Sequence, residues 1–327
     1  MRLRRRLTKR TSLMQPDIKA RAQGRWRGIL MGLGFDRKLL SGKHGACPIC
    51  DKGIDRFRWD DREGRGTYIC STCGAGNGVD LVMNWKHVDF VEAKRMIEGQ
   101  IGTAPLDAPR AVRDDAAAKR AMTALWTRAR PLDGQDVASR YLRARGLALA
   151  ALPPSLKVVD DLPYSDGDRE PKSYPAMLAK FVAPDDKSAI LHRTYLAEPG
   201  VKAPVETVRK MMAGLVPAGG AVRLSAAEET MGVAEGIETA MSAAEIWDVP
   251  VWAALNSGAL TKFKPPKIAK HIIIFADSDS SFGGQNAGFA LAYRLKTEGF
   301  NVEVRTPMFT DTGEKSDWND MAERKAA

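Results

Sequence analysis

Two stretches decide how the C-terminal part of this chain folds: Met231-Gly232-Val233-Ala234-Glu235-Gly236-Ile237-Glu238 and His271-Ile272-Ile273-Ile274-Phe275-Ala276-Asp277-Ser278-Asp279. Each is an apolar run too short for a helix, and each breaks at a carboxylate. Such runs, bounded by turn residues, read as buried strands. Working outward, Glu238 to Trp247 reads as a helix, Val251 to Leu255 as a strand and the region near 258–264 as a short helix. Gln285 to Glu298 reads as a helix and Val302 to Arg305 as a strand. Strands alternating with helices imply βαβ units and a parallel sheet. Ligands of open α/β sheets bind at the carboxyl ends of the strands, so Glu235, Asp277 and Asp279 are delivered to one edge. Asp277 and Asp279, two residues apart, can face a common cation while Ser278 takes the opposite side. Oxygen donors in an incomplete cage suit Mg²⁺ or Mn²⁺, with substrate phosphates completing the shell. A lone acid at a strand end is usually a cap or turn residue. Acids at equivalent ends of two strands argue for a joint role. A further acidic segment, Lys315 to Asp320, follows the last strand.

Upstream, short apolar runs at Leu156 to Val159, Ala176 to Val182, Ala189 to Leu196 and Ala221 to Leu224 fit strands. They follow a helical pair, 116–130 and 134–146, broken at Pro131. Residues 100–116, with Gly102, Pro105 and Pro109, read as a linker. Nearer the N-terminus, Pro16-Asp17 opens a helix running to about Leu33, and Leu81 to Ile97 reads as another.

Between those helices lie all four cysteines of the chain, as Cys47-x-x-Cys50 and Cys70-x-x-Cys73. Each pair can reach one metal through a tight knuckle, and residues 54–69 can form a hairpin that returns the chain. Four thiolates suit tetrahedral Zn²⁺ and leave no open position, so the site is structural. An iron–sulfur cluster is the lesser alternative, and His44 is a competing ligand. Around the cysteines stand Arg56, Arg58, Trp59 and Arg65, with Phe57 and Tyr68. Cations interleaved with rings are what single-stranded nucleic acid binds, by phosphate pairing and base stacking. The rings equally suit the small core of such a module, and the sequence leaves both readings open.

Length and composition agree with a chain of about two or three domains, each with a real core. The 327 residues are 44% hydrophobic and carry a formal charge of +10. That excess is local: residues 1–50 hold 13 basic and 2 acidic residues, against 37 and 38 in the remainder. A polyanionic partner such as nucleic acid is therefore expected to meet the N-terminal part of the chain. No run approaches the ~20 apolar residues of a membrane span. Met1 to Arg10 lacks the apolar middle of a secretory signal, and the clustered cysteines point to a reducing compartment, so a cytoplasmic protein without membrane contact is expected.

The segments Gly232 to Ala240, Phe275 to Asp279, Gly283-Gly284-Gln285 and Ser316 to Asp320 resemble a Toprim domain, in the variant found in phage, satellite-phage and conjugative-plasmid DNA primases. His44 to Cys50, Asp55 to Arg58, Gly66 to Cys70 and Cys73 to Leu81 resemble the zinc-binding domain of the same primases. The charge run over 1–15 reads as a flexible basic arm outside the resemblance, which implies a template-binding helix and zinc ribbon over 16–99, a primase middle region over 117–227 and a catalytic Toprim domain over 228–327. It implies synthesis of short primers from nucleoside triphosphates on single-stranded DNA. Glu235 matches the Toprim glutamate, Asp277 and Asp279 its metal pair, and Asp317, less closely, a further acid. Arg193, Lys202, Arg209 and Lys210 lie where primases place cations near template or nucleotide phosphates. A metal-dependent nuclease or a non-catalytic zinc-ribbon DNA-binding factor would use the same modules. The sequence has no G-x-x-x-x-G-K-[ST] loop, so any replicative helicase is expected to act in trans.

Overall fold

The structure, a computed structural model, describes residues 17–51, 53–70, 72–107, 115–165, 172–279, 282–307 and Trp318. The expected basic arm lies outside these residues. Contacts divide the chain into two compact units, Met1–Val112 and Arg113–Ala327.

The first unit runs α1 (Ile18–Ala22), α2 (Trp26–Gly32), a 3₁₀ turn (Arg37–Ser41), β1 (Phe57–Trp59), β2 (Tyr68–Cys70), β3 (Gly74–Gly76), α3 (Gly78–Lys86) and α4 (Phe90–Ile101). The strands form an antiparallel sheet in the order β1-β2-β3, with Phe57 opposite Cys70 and Trp59 opposite Tyr68. Strand alternation turns Phe57, Trp59, Tyr68 and Cys70 inward, onto Trp26, Ile29, Leu30, Leu81 and Ile97.

Both helices expected in this unit are interrupted. Gly24, at φ +70°, separates α1 from α2. Its N–H donates to the Gly64 carbonyl at 2.8 Å and its carbonyl accepts from Asp107 N–H at 2.6 Å, so the break holds two distant segments. His87, in the left-handed region, ends α3, and the Asp89 carboxylate caps α4. The apolar period runs through both breaks because the paired helices share one core, and a pattern of spacing alone does not register them. The start of the expected linker is also packed: Ala104 is buried, and Arg25 donates to its carbonyl at 2.7 Å.

The second unit runs α5 (Asp115–Arg128), β4 (Arg130–Pro131), α6 (Val137–Ala144), β5 (Leu156–Tyr164), β6 (Lys172–Val182), β7 (Ala189–Ala197), β8 (Val201–Lys202), β9 (Arg209–Met211), β10 (Ala221–Val222), β11 (Thr230–Ala234), α7 (Ile237–Trp247), β12 (Val251–Ala253), α8 (Ser257–Leu260), β13 (His271–Phe275), α9 (Gly283–Thr297) and β14 (Asn301–Arg305). Among the described residues these strands make one 11-stranded mixed sheet, with the path β14-β13-β11-β12-β10-β6-β5-β4 and with β7 flanked by β6, β8 and β9. Strands β14, β13, β11 and β12 are parallel neighbours, as the βαβ pattern predicts. The short β10 runs antiparallel to both β12 and β6, so the sheet passes without a gap from the middle region into the C-terminal one.

Helices cover both faces of the parallel part, which is why its strands read as unbroken apolar runs. Ile273 and Phe275 pack with α6 and α7, whereas Ile272 and Ile274 pack with Leu291 and Leu295 of α9. Trp318 closes the α7 side, edge-on to Phe275 at 5.5 Å and to Trp247 at 6.2 Å.

In the first unit Trp26 lies flat against backbone. A Cβ on Gly78 would sit 2.3 Å from its ring, and one on Gly66 2.6 Å. Gly78→Ala should therefore cost about 1–3 kcal/mol through overpacking. Gly99, with nothing within 4 Å of an added Cβ, is the control. Denaturant titration of both variants should show a lowered midpoint for Gly78→Ala only.

Candidate active site and metal centre

The carboxylate edge follows from strand register. Ala234 of β11 pairs with Phe275 of β13, so Glu235 and Asp277 leave neighbouring strands at the same end, one and two residues past that pair. The Glu235 carbonyl accepts from Leu255 N–H at 2.7 Å, which ties the exit of β12 to the same edge. Asp277 is buried, and Glu235 and Asp279 are half-buried. The Asp279 carboxylate accepts from the N–H groups of Gly283 at 3.2 Å and Gly284 at 2.9 Å, at the start of α9. Gln285 holds the same loop: its amide donates to Ser278 Oγ at 3.2 Å and accepts from Asp279 N–H at 3.3 Å. A Cβ at Gly284 would lie 2.5 Å from the Asp277 carbonyl, so only glycine lets α9 come this close.

Among the described residues only the four cysteines converge as a metal-ligating cluster of three or more. Glu235, Asp277 and Asp279 share an edge without closing into such a cluster, and Asp317 lies outside the described residues. The acids at this edge still fit a hard divalent cation, since Mg²⁺ is commonly held through one or two carboxylates plus substrate phosphates and water.

Beside the edge stands an acid that sequence reading passed over. Glu238, in the first turn of α7, is 7% exposed and receives hydrogen bonds from Tyr141 Oη and Arg209 Nη2, each at 2.6 Å. Burial opposes its ionisation. The Arg209 guanidinium and the Tyr141 hydroxyl outweigh that and hold its carboxyl below the ordinary carboxylate range. The signal in the sequence was a charged residue between Ile237 and the small residues Thr239 and Ala240, on the part of the helix that packs on the sheet, three positions after Glu235.

The four cations singled out in the middle region do not form one cluster. Arg209 lies opposite Thr194, and Lys210 lies opposite Arg193, across β7 and β9. Alternation sends these pairs to opposite faces of the sheet. Arg209 reaches α7 through Glu238. Arg193 instead donates to the Met211 carbonyl, and Lys210 lies over the Tyr164 ring at 3.9 Å. Lys202, in β8, pairs with Leu196 at the far end of β7.

In the first unit the four sulfurs all lie within 4.8 Å of one another, with Cys47 and Cys73 at 3.8 Å. A tetrahedron with Zn–S bonds of about 2.3 Å has edges of about 3.8 Å, so the cluster fits zinc. Backbone N–H groups already point at sulfur, from Ile49 to Cys47 and from Thr72 and Cys73 to Cys70, all at 3.4 Å. Burial raises the Cys73 and Cys47 thiols. For Cys70 burial is overcome by the N–H groups of Cys73 and Thr72, which bring it down to about 7. His44 is outside the cluster, with Nδ1 2.8 Å from the Asp55 carbonyl.

Trp59 does not present a stacking surface. It is 3% exposed and packs in the core beneath the Arg27 guanidinium, 5.0 Å from its ring centroid. Alternation along β1 puts it beside Phe57, on the face that the helices cover. The same alternation sends Arg58 outward, and Arg65 is exposed. Arg56 bonds the Thr72 hydroxyl at 2.8 Å.

His192, buried on β7 near Arg209, carries a pH dependence. Burial, reinforced by the Arg209 charge, lowers its pKa to about 4 from an ordinary value near 6.5. The unfolded chain then gains a proton first as pH falls. Stability is complete above about pH 6.5 and is lost as pH falls toward 4, by up to about 3 kcal/mol. Thermal melts across this window should flatten in His192→Leu relative to the parent.

Comparison with known families agrees with these modules. Residues 42–79 match the zinc-binding domain of primase-helicase, 116–224 a domain of unknown function, and 230–327 the Toprim domain. Solved structures with partial similarity include the Aquifex aeolicus primase (zinc-binding and RNA polymerase domains), at 14% identity and TM-score 0.44, covering 95% of this chain and 83% of that one. The primase fragment of the bacteriophage T7 primase-helicase protein has 13% identity and TM-score 0.37, covering 87% and 97%. A DNA primase domain from Pseudomonas aeruginosa has 12% identity and TM-score 0.41, covering 64% and 75%. The chain thus carries a C-terminal Toprim domain and, N-terminal to it, a zinc-binding domain of the primase-helicase type.

Proposed function

We propose that this protein is a DNA primase, a nucleotidyltransferase that makes short primers from nucleoside triphosphates on single-stranded DNA. The observation that carries the reading is the delivery of Glu235 and Asp277 to one edge by in-register parallel strands, inside a Toprim domain that shares a chain with a primase-type zinc module. Resemblance of the motifs to phage and plasmid primases supports a role in replication of such an element, with a helicase as a separate partner.

In this reading Asp277 and Asp279, with Asp317, hold a divalent cation, and Glu235 assists. That ion supplies charge neutralisation at the phosphates and lowers the pKa of the attacking hydroxyl. Asp279 must then share its carboxylate between α9 and the metal. Arg209 offers the triphosphate a guanidinium whose place is set by Glu238 and Tyr141. Arg193, Lys202 and Lys210 belong to the surface that receives template or nucleotide phosphates. The zinc module, over 16–99, captures template through Arg56, Arg58 and Arg65, so its binding weakens steeply with salt. Residues 117–227 and 228–327 then act as middle and catalytic regions of one sheet.

Incubation with single-stranded DNA, labelled NTPs and Mg²⁺ or Mn²⁺, resolved on a sequencing gel, tests the proposal. Short products that disappear in Asp277→Ala and Asp279→Ala are expected. Degraded template without new product would make the protein a nuclease, and neither outcome would leave a binding module.

Cys73→Ser tests the zinc module separately. Bound zinc should fall and affinity for single-stranded DNA should drop, while the pH-dependent melt of the second unit stays as in the parent. Unchanged DNA affinity in a zinc-free variant would remove the module from template capture.

A further inference from the structure

Behind the Asp277–Asp279 loop, on the α9 side of the sheet, lies a groove of about 670 Å³ that includes Ser278, Phe282, Gln285, Asn286, Phe289 and Thr306. Among the described residues no charged side chain lines it. Two phenyl rings, two carboxamides and two hydroxyls do. Phe282 is 63% exposed and Phe289 59%, and Tyr293 continues the same helix face at 76%. From Phe282 to Phe289 the helix rises about 10 Å, and from Phe289 to Tyr293 about 6 Å. Phe282 also sits at φ +57°, a left-handed conformation that a bulky residue adopts only at a cost. Packing does not repay that cost, because the ring remains in solvent. Gln285 bonds both Ser278 and Asp279, so the floor of the groove is the loop that carries the Toprim acids.

We propose that this groove is a nucleobase site, where an unpaired base of single-stranded DNA stacks on Phe289 and Phe282 beside the carboxylate edge. The inference rests on the primase reading for its ligand. Uncharged lining selects a neutral flat heterocycle rather than a phosphate. The Asn286 carboxamide and the Thr306 hydroxyl supply donors and acceptors to the edge of such a base, and Tyr293 offers a ring to the next one. Aromatic faces bind successive bases in this way with little sequence preference.

Stacking and phosphate contact differ in their salt dependence, and the test uses that difference. Fluorescence anisotropy of full-length, zinc-loaded protein would compare oligothymidylate with an abasic oligonucleotide of equal length. Phe289→Ala should weaken binding of oligothymidylate about tenfold, leave the abasic strand unaffected and leave the slope of log affinity against log salt unchanged. Phe289→Trp should retain the parent affinity. Equal weakening on both strands, no weakening on either, or a shallower salt slope would overturn the proposal. So would a change of oligomeric state in sedimentation, which would make the ring stripe a self-association face. Primer synthesis by the parent protein is scored separately. Primers without base-dependent binding at Phe289 sink the groove alone, and base-dependent binding without primers sinks the primase reading alone.

Discussion

The in-register parallel pairing of β11 with β13 is the constraint on which the second unit depends. Five residue pairs, from Thr230 with His271 to Ala234 with Phe275, fix where both strands end. A slip of one residue would turn Ile273 and Phe275 away from α7 and would send Asp277 to the wrong side of the edge. The register is protected because both faces are buried, α6 and α7 on one and α9 on the other. Helix α9 then closes on the loop through Gly284, and the Asp279 carboxylate meets the first N–H groups of that helix. Packing and carboxylate placement are thus one event.

A second constraint joins the parts of the sheet. Glu238 is a buried carboxylate that would be costly alone. Removing Arg209 would strand that buried charge, whereas the half-exposed guanidinium would keep its water if Glu238 were removed. Its partners come from far away in sequence, Tyr141 from α6 and Arg209 from β9. The pair therefore makes the middle region and the Toprim helix interdependent, and β10 does the same through backbone bonds. The sheet is continuous across what the motifs alone present as a boundary near residue 228.

The first unit solves a different problem. A small three-stranded sheet cannot bury much apolar surface, and its rings are used for what core it has. Phe57 and Tyr68 stack at 5.7 Å, and Phe35 meets Trp85 edge-on at 4.9 Å. Four sulfurs held in reach of one ion supply the remaining cross-link, where metal binding and folding are coupled. Using the rings for the core leaves Arg58 on the opposite face of β1, and that division follows from strand alternation.

Sequence by itself determined the local and the periodic features. The C-x-x-C pairs fixed the metal cluster, since a knuckle needs only neighbours. Short apolar runs fixed β11, β13 and β14, and their carboxyl ends placed Glu235 and Asp277 on one edge. Tertiary structure alone decided the rest. The breaks at Gly24 and His87 are invisible to periodicity because both halves of each helix face one core. The burial of Trp59 depends on which face of β1 the helices cover. The separation of Arg209 from Arg193 and Lys210 depends on strand pairing, since alternation assigns faces only after a partner is chosen. The Glu238, Tyr141 and Arg209 contact joins residues up to 97 positions apart, and such long-range electrostatics exist only once the sheet has brought them together.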